Sequence, residues 1–201
     1  MITRDHPIQK PVPTYEIAQL FPAQGDWSEA DFLGLDTNRL AELNEGKLEV
    51  MEMPTYFHQL IVMRLVLFLF PFVANRKLGQ IAIAPLRVRL WPGKIREPDL
   101  VFISAAHANR VGEQYWGLPD LAAEIISESD PDHDRITKMA EYAQAGIPEY
   151  WIIDPYMRTV EVYLLAGAEY QMAKDLAEGE TLTTTQLPGF ALSVTELFAP
   201  E

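Results

Sequence analysis

The chain has 201 residues, 48% of them hydrophobic and 22% charged, the balance of a globular domain with a sizeable core, which excludes a disordered or fibrous polymer. It contains no cysteine, so disulfides, thiolate nucleophiles and cysteine-ligated zinc are excluded, and a metal would have to use oxygen or imidazole donors. With 16 basic against 29 acidic residues the net charge is −13, which repels polyanions at long range and argues against avid non-specific DNA binding.

In chain order, prolines at positions 7, 11, 13 and 22 lead us to expect an extended arm over residues 1–27, followed by one domain over 28–201. The first residues lack the basic-then-apolar pattern of a secretory signal, and the expected location is the cytoplasm. Ser28 should cap a short helix reaching residue 35, with acids in its first turn. A hairpin follows, with arms at 40–43 and 47–52 around Asn44, Glu45 and Gly46. Residues 57–75 should form a long buried helix with an apolar face at Leu60, Ile61, Met63, Leu65, Leu67 and Phe68. Arg64 and Pro71 interrupt its apolar run, which falls short of the roughly 20 residues of a membrane span, so no membrane partner is expected.

Four strand-like runs, 80–84, 86–90, 100–103 and 121–127, should make a central sheet. A helix over 132–145, with an apolar stripe at Ile136, Met139, Ala140 and Ala143, should stop at Gly146 with Pro148 beyond it. A strand at 149–153, a hairpin of 159–165 and 169–174 around Ala166 and Gly167, and a last helical turn at 194–198 complete the chain. The order of elements predicts an α/β or α+β fold, a mixed sheet flanked by helices on both faces.

Two carboxylates stand out because they fall where buried strands normally carry none. Asp99 heads the strand at 100–103, and Glu124 lies inside Leu121-Ala122-Ala123-Glu124-Ile125-Ile126, on the same face as Ala122 and Ile126 by alternation. A carboxylate taken out of water unpartnered costs several kcal/mol or goes neutral, so something should compensate both, and a divalent cation is the economical choice. Taken alone, Asp99 also fits a Pro-Asp turn and Glu124 a buried ion pair. Lys138, fourteen positions after Glu124, could complete an acid, acid, lysine set, although it also fits an exposed pair with Asp134 one turn earlier. Glu42 and Glu49, one on each arm of the first hairpin, could add carboxylates or face solvent, and His58 sits in the first turn of the long helix. His6, His107 and His133 fall in arm or loop contexts without ligand-like spacing. No phosphate loop, serine elbow or dinucleotide turn can be read.

Several ordered segments are similar to one family. Arg96-Glu97-Pro98-Asp99-Leu100-Val101-Phe102, then Pro119 through Ser127, then Asp134 and Lys138, then Tyr142 through Pro155, together resemble the Uma family of restriction endonucleases within the PD-(D/E)xK nuclease superfamily. Glu42-Leu43, Gly46, Leu48-Glu49, His58 and the closing Leu187-Pro188-Gly189-Phe190 belong to the same likeness, which covers the chain from about Ser28 onward. The resemblance implies a restriction-endonuclease-like core and Mg²⁺-dependent phosphodiester hydrolysis, with Mn²⁺ as a substitute ion. Asp99 matches the motif aspartate and a metal ligand, Glu124 the second acid and metal ligand, and Lys138 a relocated lysine, since Ile126 stands where the simplest motif has one. Glu42, Glu49, His58 and Asp134 would support this set. A second departure is Ser127-Glu128-Ser129-Asp130, whose acids make phosphate approach less favourable. The implied partner is nucleic acid, DNA above all, bound weakly because of the charge, by a homodimer able to cut both strands. Two other readings fit the residues: a catalytically inactive nuclease fold kept for protein interaction or dimerisation, and a hydrolase of smaller phosphoesters, which suits −13 better than long DNA does.

Overall fold

The computed structural model describes residues 21–37, 39–127 and 130–199, so most of the expected arm, and Glu128 and Ser129, lie outside the described residues. The first helix, α1 (Glu29–Leu33), is fixed by a reciprocal capping box. Ser28 Oγ accepts from Asp31 N at 3.1 Å, and the Asp31 carboxylate accepts from Ser28 N at 3.0 Å.

The hairpin of β1 (Ala41–Asn44) and β2 (Lys47–Val50) turns through Glu45 and Gly46, both at positive φ (48° and 85°), the pair of values a two-residue type I′ turn requires. Gly46 has a second reason to lack a side chain, because a Cβ there would collide with the Gly25 carbonyl, which packs across the turn. Helix α2 (Tyr56–Arg76) is capped by Thr55 and ends at Lys77 in the left-handed conformation.

Next come β3 (Gly79–Ile83), β4 (Val88–Trp91), β5 (Lys94–Arg96), β6 (Leu100–Ser104) and β7 (Leu121–Ile125). A π-helical turn (His133–Lys138) leads directly into α3 (Met139–Ala145), which Gly146 stops at φ 87°. The chain closes with β8 (Glu149–Asp154), β9 (Thr159–Ala166), β10 (Glu169–Leu176), a small pair β11 (Thr181–Leu182) and β12 (Leu192–Ser193), and α4 (Val194–Leu197).

The expected mixed sheet exists, six strands in the order β10-β9-β8-β7-β6-β3, with β7 and β8 parallel and the other neighbours antiparallel. One expected member is elsewhere. The run at 86–90 does not join the central sheet: β4 pairs with β5, a strand the sequence reading passed over, in a four-stranded sheet ordered β2-β1-β5-β4. The correction has a physical cause, since an alternating apolar run does not encode its partner and the Trp91 to Lys94 turn closes a local hairpin first.

Two cores cover the faces of the large sheet. On one side Leu100, Phe102, Leu121, Ala123, Ile125 and Trp151 meet α2 and the C-terminal segment; on the other Val101, Ala122, Ile126, Tyr150 and Ile152 meet Tyr142, Ile147 and Trp116. The small sheet carries its own cluster of Trp27, Phe32, Ala41, Leu43 and Ile95. Two expected faces differ from those observed. Along α2, Leu60, Ile61, Leu65 and Leu69 point inward but Met63, Leu67 and Phe68 point outward. Over residues 132–145 the buried positions are Asp134, Lys138, Tyr142 and the expected Ala143, whereas Ile136 and Ala140 face solvent. The wider π turn changes the phase that a period of 3.6 residues assumes.

Candidate active site

The candidate site forms where the second face of the large sheet meets the small sheet and α3. Strand register supplies its centre: Leu100 pairs with Ala123, so Asp99, one step beyond the pair, comes to lie beside Glu124. Asp99 N donates to Glu124 Oε2 at 3.3 Å, and Ile125 N donates to Asp99 Oδ2 at 2.8 Å, which locks the two acids to one another through the backbone. His58, held in the first turn of α2 by its N–H to Thr55 Oγ1, places Nε2 3.0 Å from the same Asp99 oxygen. Its Nδ1 is buried without a hydrogen-bond partner.

The crossover between the parallel strands β7 and β8 brings in the cation. Lys138 is buried, with its ammonium 3.0 Å from Glu124 Oε1, 3.2 Å from Asp134 Oδ1 and 3.8 Å from Glu42 Oε1. Tyr142, one turn further on the same face, donates its hydroxyl to Glu124 Oε1 at 2.6 Å. Pairing of Lys138 with Asp134 is thus as expected in partner, but not on the surface.

Glu42 arrives from β1. It accepts from Glu97 N at 3.0 Å and from Arg96 Nη1 at 2.6 Å, so it also fixes the segment that leads into Asp99. His133 Nε2 lies 3.7 Å from Glu42, within reach of its charge but too far for a hydrogen bond. Glu49 stands on the far side of Arg96, accepting from Arg96 Nη1 and Asn44 Nδ2, both at 2.5 Å. Arg96, wholly buried, also binds Glu141 through Nε (2.7 Å) and Nη2 (2.8 Å), and Lys94 pairs with Glu141. Glu42, Glu49 and His133 offer donor atoms within 4.8 Å of one another, but the guanidinium already bridges the two glutamates and takes the place a cation would occupy there.

The structure therefore brings Asp99, Glu124, Lys138, Asp134, Glu42 and His58 into one cluster and leaves Glu49 in the adjoining arginine network. His107 is elsewhere, paired through Nδ1 with Asp120 at 2.7 Å. Sequence reasoning missed Tyr142, Arg96, Glu97, Glu141 and His133. The signal for Tyr142 was present, since Asp134, Lys138 and Tyr142 recur every four residues on one helix face.

Electrostatics single out the unbalanced acids. Burial pushes Glu124 well above the usual carboxylate range, and the Asp99 and Asp134 charges add to it; Lys138 and the Tyr142 hydroxyl pull the other way without cancelling it. Asp134 is raised for the same first reason, with Lys138 opposing and Asp99 reinforcing. Glu42 is equally dry, but there Lys138, His133 and Arg96 outweigh burial and hold it well below the usual range. Burial alone would lower Lys138; the acids around it raise it well above the ordinary value, so it is an ammonium throughout the physiological range. Glu97 is pushed up to about 7 by burial, with Glu42 as a repelling neighbour.

Three carboxylates thus share one lysine with Asp99 beside them, two of the four are raised for want of countercharge, and every acidic donor is oxygen. Such a set fits a hard divalent cation, which binds oxygen ligands and would restore the ionised form of Glu124.

The model of the Uma2 family, described as "putative restriction endonuclease", matches residues 30–195. Among solved structures, the chain is similar to one described as a putative nuclease belonging to DUF820, from Anabaena variabilis ATCC 29413. The TM-score is 0.70 at 22% identity, over 86% of this chain and 97% of that one, a likeness of fold. No curated protein matches the chain.

Proposed function

This chain belongs to the Uma2 family, and we propose that its buried acid and lysine cluster hydrolyses phosphodiester bonds in nucleic acid, DNA above all, with Mg²⁺ or Mn²⁺ held by Asp99 and Glu124. The observation that carries this reading is the lysine ammonium 3.0 Å from a dry glutamate that is itself backbone-linked to a second acid. When bound, the ion would supply Lewis-acid polarisation of a phosphate oxygen.

The chain's own residues do the rest. Lys138, oriented by Glu124 and Asp134, directs an N–H bond at the attacking water and at the charge that builds on the phosphate oxygens. The water oxygen bonds to phosphorus while the bond to the leaving oxygen breaks. The water's proton passes to a neighbouring carboxylate, and the leaving oxygen takes a proton from solvent. His58 steadies Asp99, and Tyr142 steadies Glu124. Glu42 positions the approach to Asp99 through Glu97 N and adds to the charge around Lys138. We further propose that the protein works as a homodimer, so that both strands of a duplex can be addressed.

The net charge of −13 favours a second reading, a shorter phosphodiester in place of long duplex, because long-range repulsion grows with substrate charge. Calorimetric titration of Mg²⁺ or Mn²⁺ into the wild type, Asp99→Asn and Glu124→Gln tests the site, with cleavage of plasmid DNA and of a dinucleotide in parallel. Uptake lost in both variants and cleavage lost with Lys138→Ala support the proposal. A wild type that takes up neither ion, or cleavage that survives all three substitutions, refutes it.

A further inference from the structure

We infer that the outward strip of α2 is the surface on which two copies of this chain meet. This deepens the dimer reading above by naming the face, and it does not depend on the chemistry of the site. Met63, Leu67, Phe70 and Ala74 all point to solvent, at intervals of four, three and four residues. That is the seam spacing of paired helices. The opposite face, through Ile61, Leu65, Leu69 and Val73, is already spent on the core.

Met63, Leu67 and Phe70 are 52%, 63% and 58% exposed, and Phe68 beside them is 37% exposed. Taking about 200 Å² for a large side chain, these four leave on the order of 400 Å² of apolar surface in one strip, the size of the largest apolar patch on a typical monomer, which is often a functional one. Gln59 and Pro71, exposed on the same side, extend it toward the roughly 800 Å² per partner of a standard interface. A helix of this length runs about 30 Å, enough for a two-helix contact along the whole strip.

Charge selects the occupant. Besides His58, the basic residues of α2 are Arg64 and Arg76, and neither is on the strip: Arg64 Nη1 donates to Leu197 O at 3.0 Å, and Arg76 stacks over Phe72 at 4.0 Å. A charged protein partner therefore finds nothing to match. The helix is long and apolar enough to cross a membrane by length and composition, but its inner face is packed in the core, and exposed Arg76 and Lys77 at its end are two cations to hold an anionic headgroup against a chain of net charge −13. An identical strip is self-complementary across a two-fold axis. The same −13 on each copy makes the contact weaker at low salt and stronger as salt screens it.

Sedimentation of the full chain over a concentration series, at low and moderate salt, tests this. We expect a dimer that tightens with salt, and monomers for Met63→Glu and Leu67→Glu with unchanged near-ultraviolet circular dichroism. Met157→Glu, at a 72% exposed position in the turn after β8, should leave the dimer intact. Should the glutamate variants unfold, Leu67→Cys gives the cysteine-free chain one thiol, whose maleimide labelling should slow as protein concentration rises. A wild type that stays monomeric overturns both the face and the dimer, as does a monomer that floats with phosphatidylcholine vesicles. A dimer indifferent to Leu67→Glu, or labelling independent of concentration, overturns the face alone and leaves the hydrolytic proposal untouched.

Discussion

Replacing Lys138 by methionine keeps the aliphatic stem and deletes an ammonium that stands within 3.8 Å of three carboxylates. Removing one partner of a buried ion pair costs about 3–5 kcal/mol, because the charge left behind stays dry. Here protons can relieve the cost. Glu124 and Asp134 are already raised by burial, and Lys138 is the largest influence opposing that rise, so both climb further once it is gone. A carboxyl group whose folded pKa exceeds its unfolded value contributes stability that is fully present below the unfolded pKa and is lost as pH rises through the folded one. Lys138→Met should therefore come closest to the wild type near about pH 4, where Glu124 and Asp134 hold their protons and the remaining deficit comes from Glu42, which stays ionised, and fall about 3–5 kcal/mol short of it by about pH 8. Urea unfolding followed by circular dichroism across that range, in the presence of a chelator, measures the difference. A deficit of equal size at both ends, or one under about 1 kcal/mol throughout, would mean that the ammonium does not balance the buried acids.

Other outcomes follow from the surrounding contacts. Glu97 is raised from 4.5 to about 7, so its stabilising share is present at acid pH and disappears as pH passes neutrality. At about 1.4 kcal/mol per pKa unit, Glu97→Gln should gain up to about 3 kcal/mol relative to the wild type between about pH 5 and pH 8, a trend that thermal melts across the series can reveal or exclude. Tyr142→Phe removes the 2.6 Å bond to Glu124 and should cost about 1.5–3 kcal/mol. Because that hydroxyl favours the ionised carboxylate, the same variant should need a higher pH for half-maximal Mg²⁺ uptake; an unmoved midpoint would show that the tyrosine does not tune its neighbour. Gly46→Ala should lose more than about 1 kcal/mol in chemical denaturation, since it meets both a positive φ and the Gly25 carbonyl.

Local chemistry made much of this legible. The turn at Glu45 and Gly46, the stop at Gly146 and the alternation that put Glu124 on the face of Ala122 and Ile126 all depend on near neighbours, and the structure has each of them. What escaped depends on distant ones. Strand β4 reads like a member of the large sheet and pairs instead within the small one. The π turn at His133–Lys138 is invisible to a period of 3.6, so the sequence allows an exposed pair of Lys138 with Asp134 where the structure buries both. Helix α2 is apolar nearly all round, and no periodicity can tell its inner face from its outer one. The arginine network around Arg96 draws on β1, β2, β5 and α3, four separate stretches whose meeting no spacing encodes.

The lysine rides on the link that joins β7 to β8, while its three acids come from β1, from β7 and from that same link. During synthesis, then, Glu42 has its nearer counterion once Arg96 has emerged, whereas Glu124 leaves the ribosome before Lys138 does. Until the chain past residue 142 has emerged, any early collapse around β6 and β7 would have to keep the Glu124 carboxyl hydrated or protonated. The buried acid of β7 is thus neutralised only by residues that follow it in the chain, Lys138 and Tyr142.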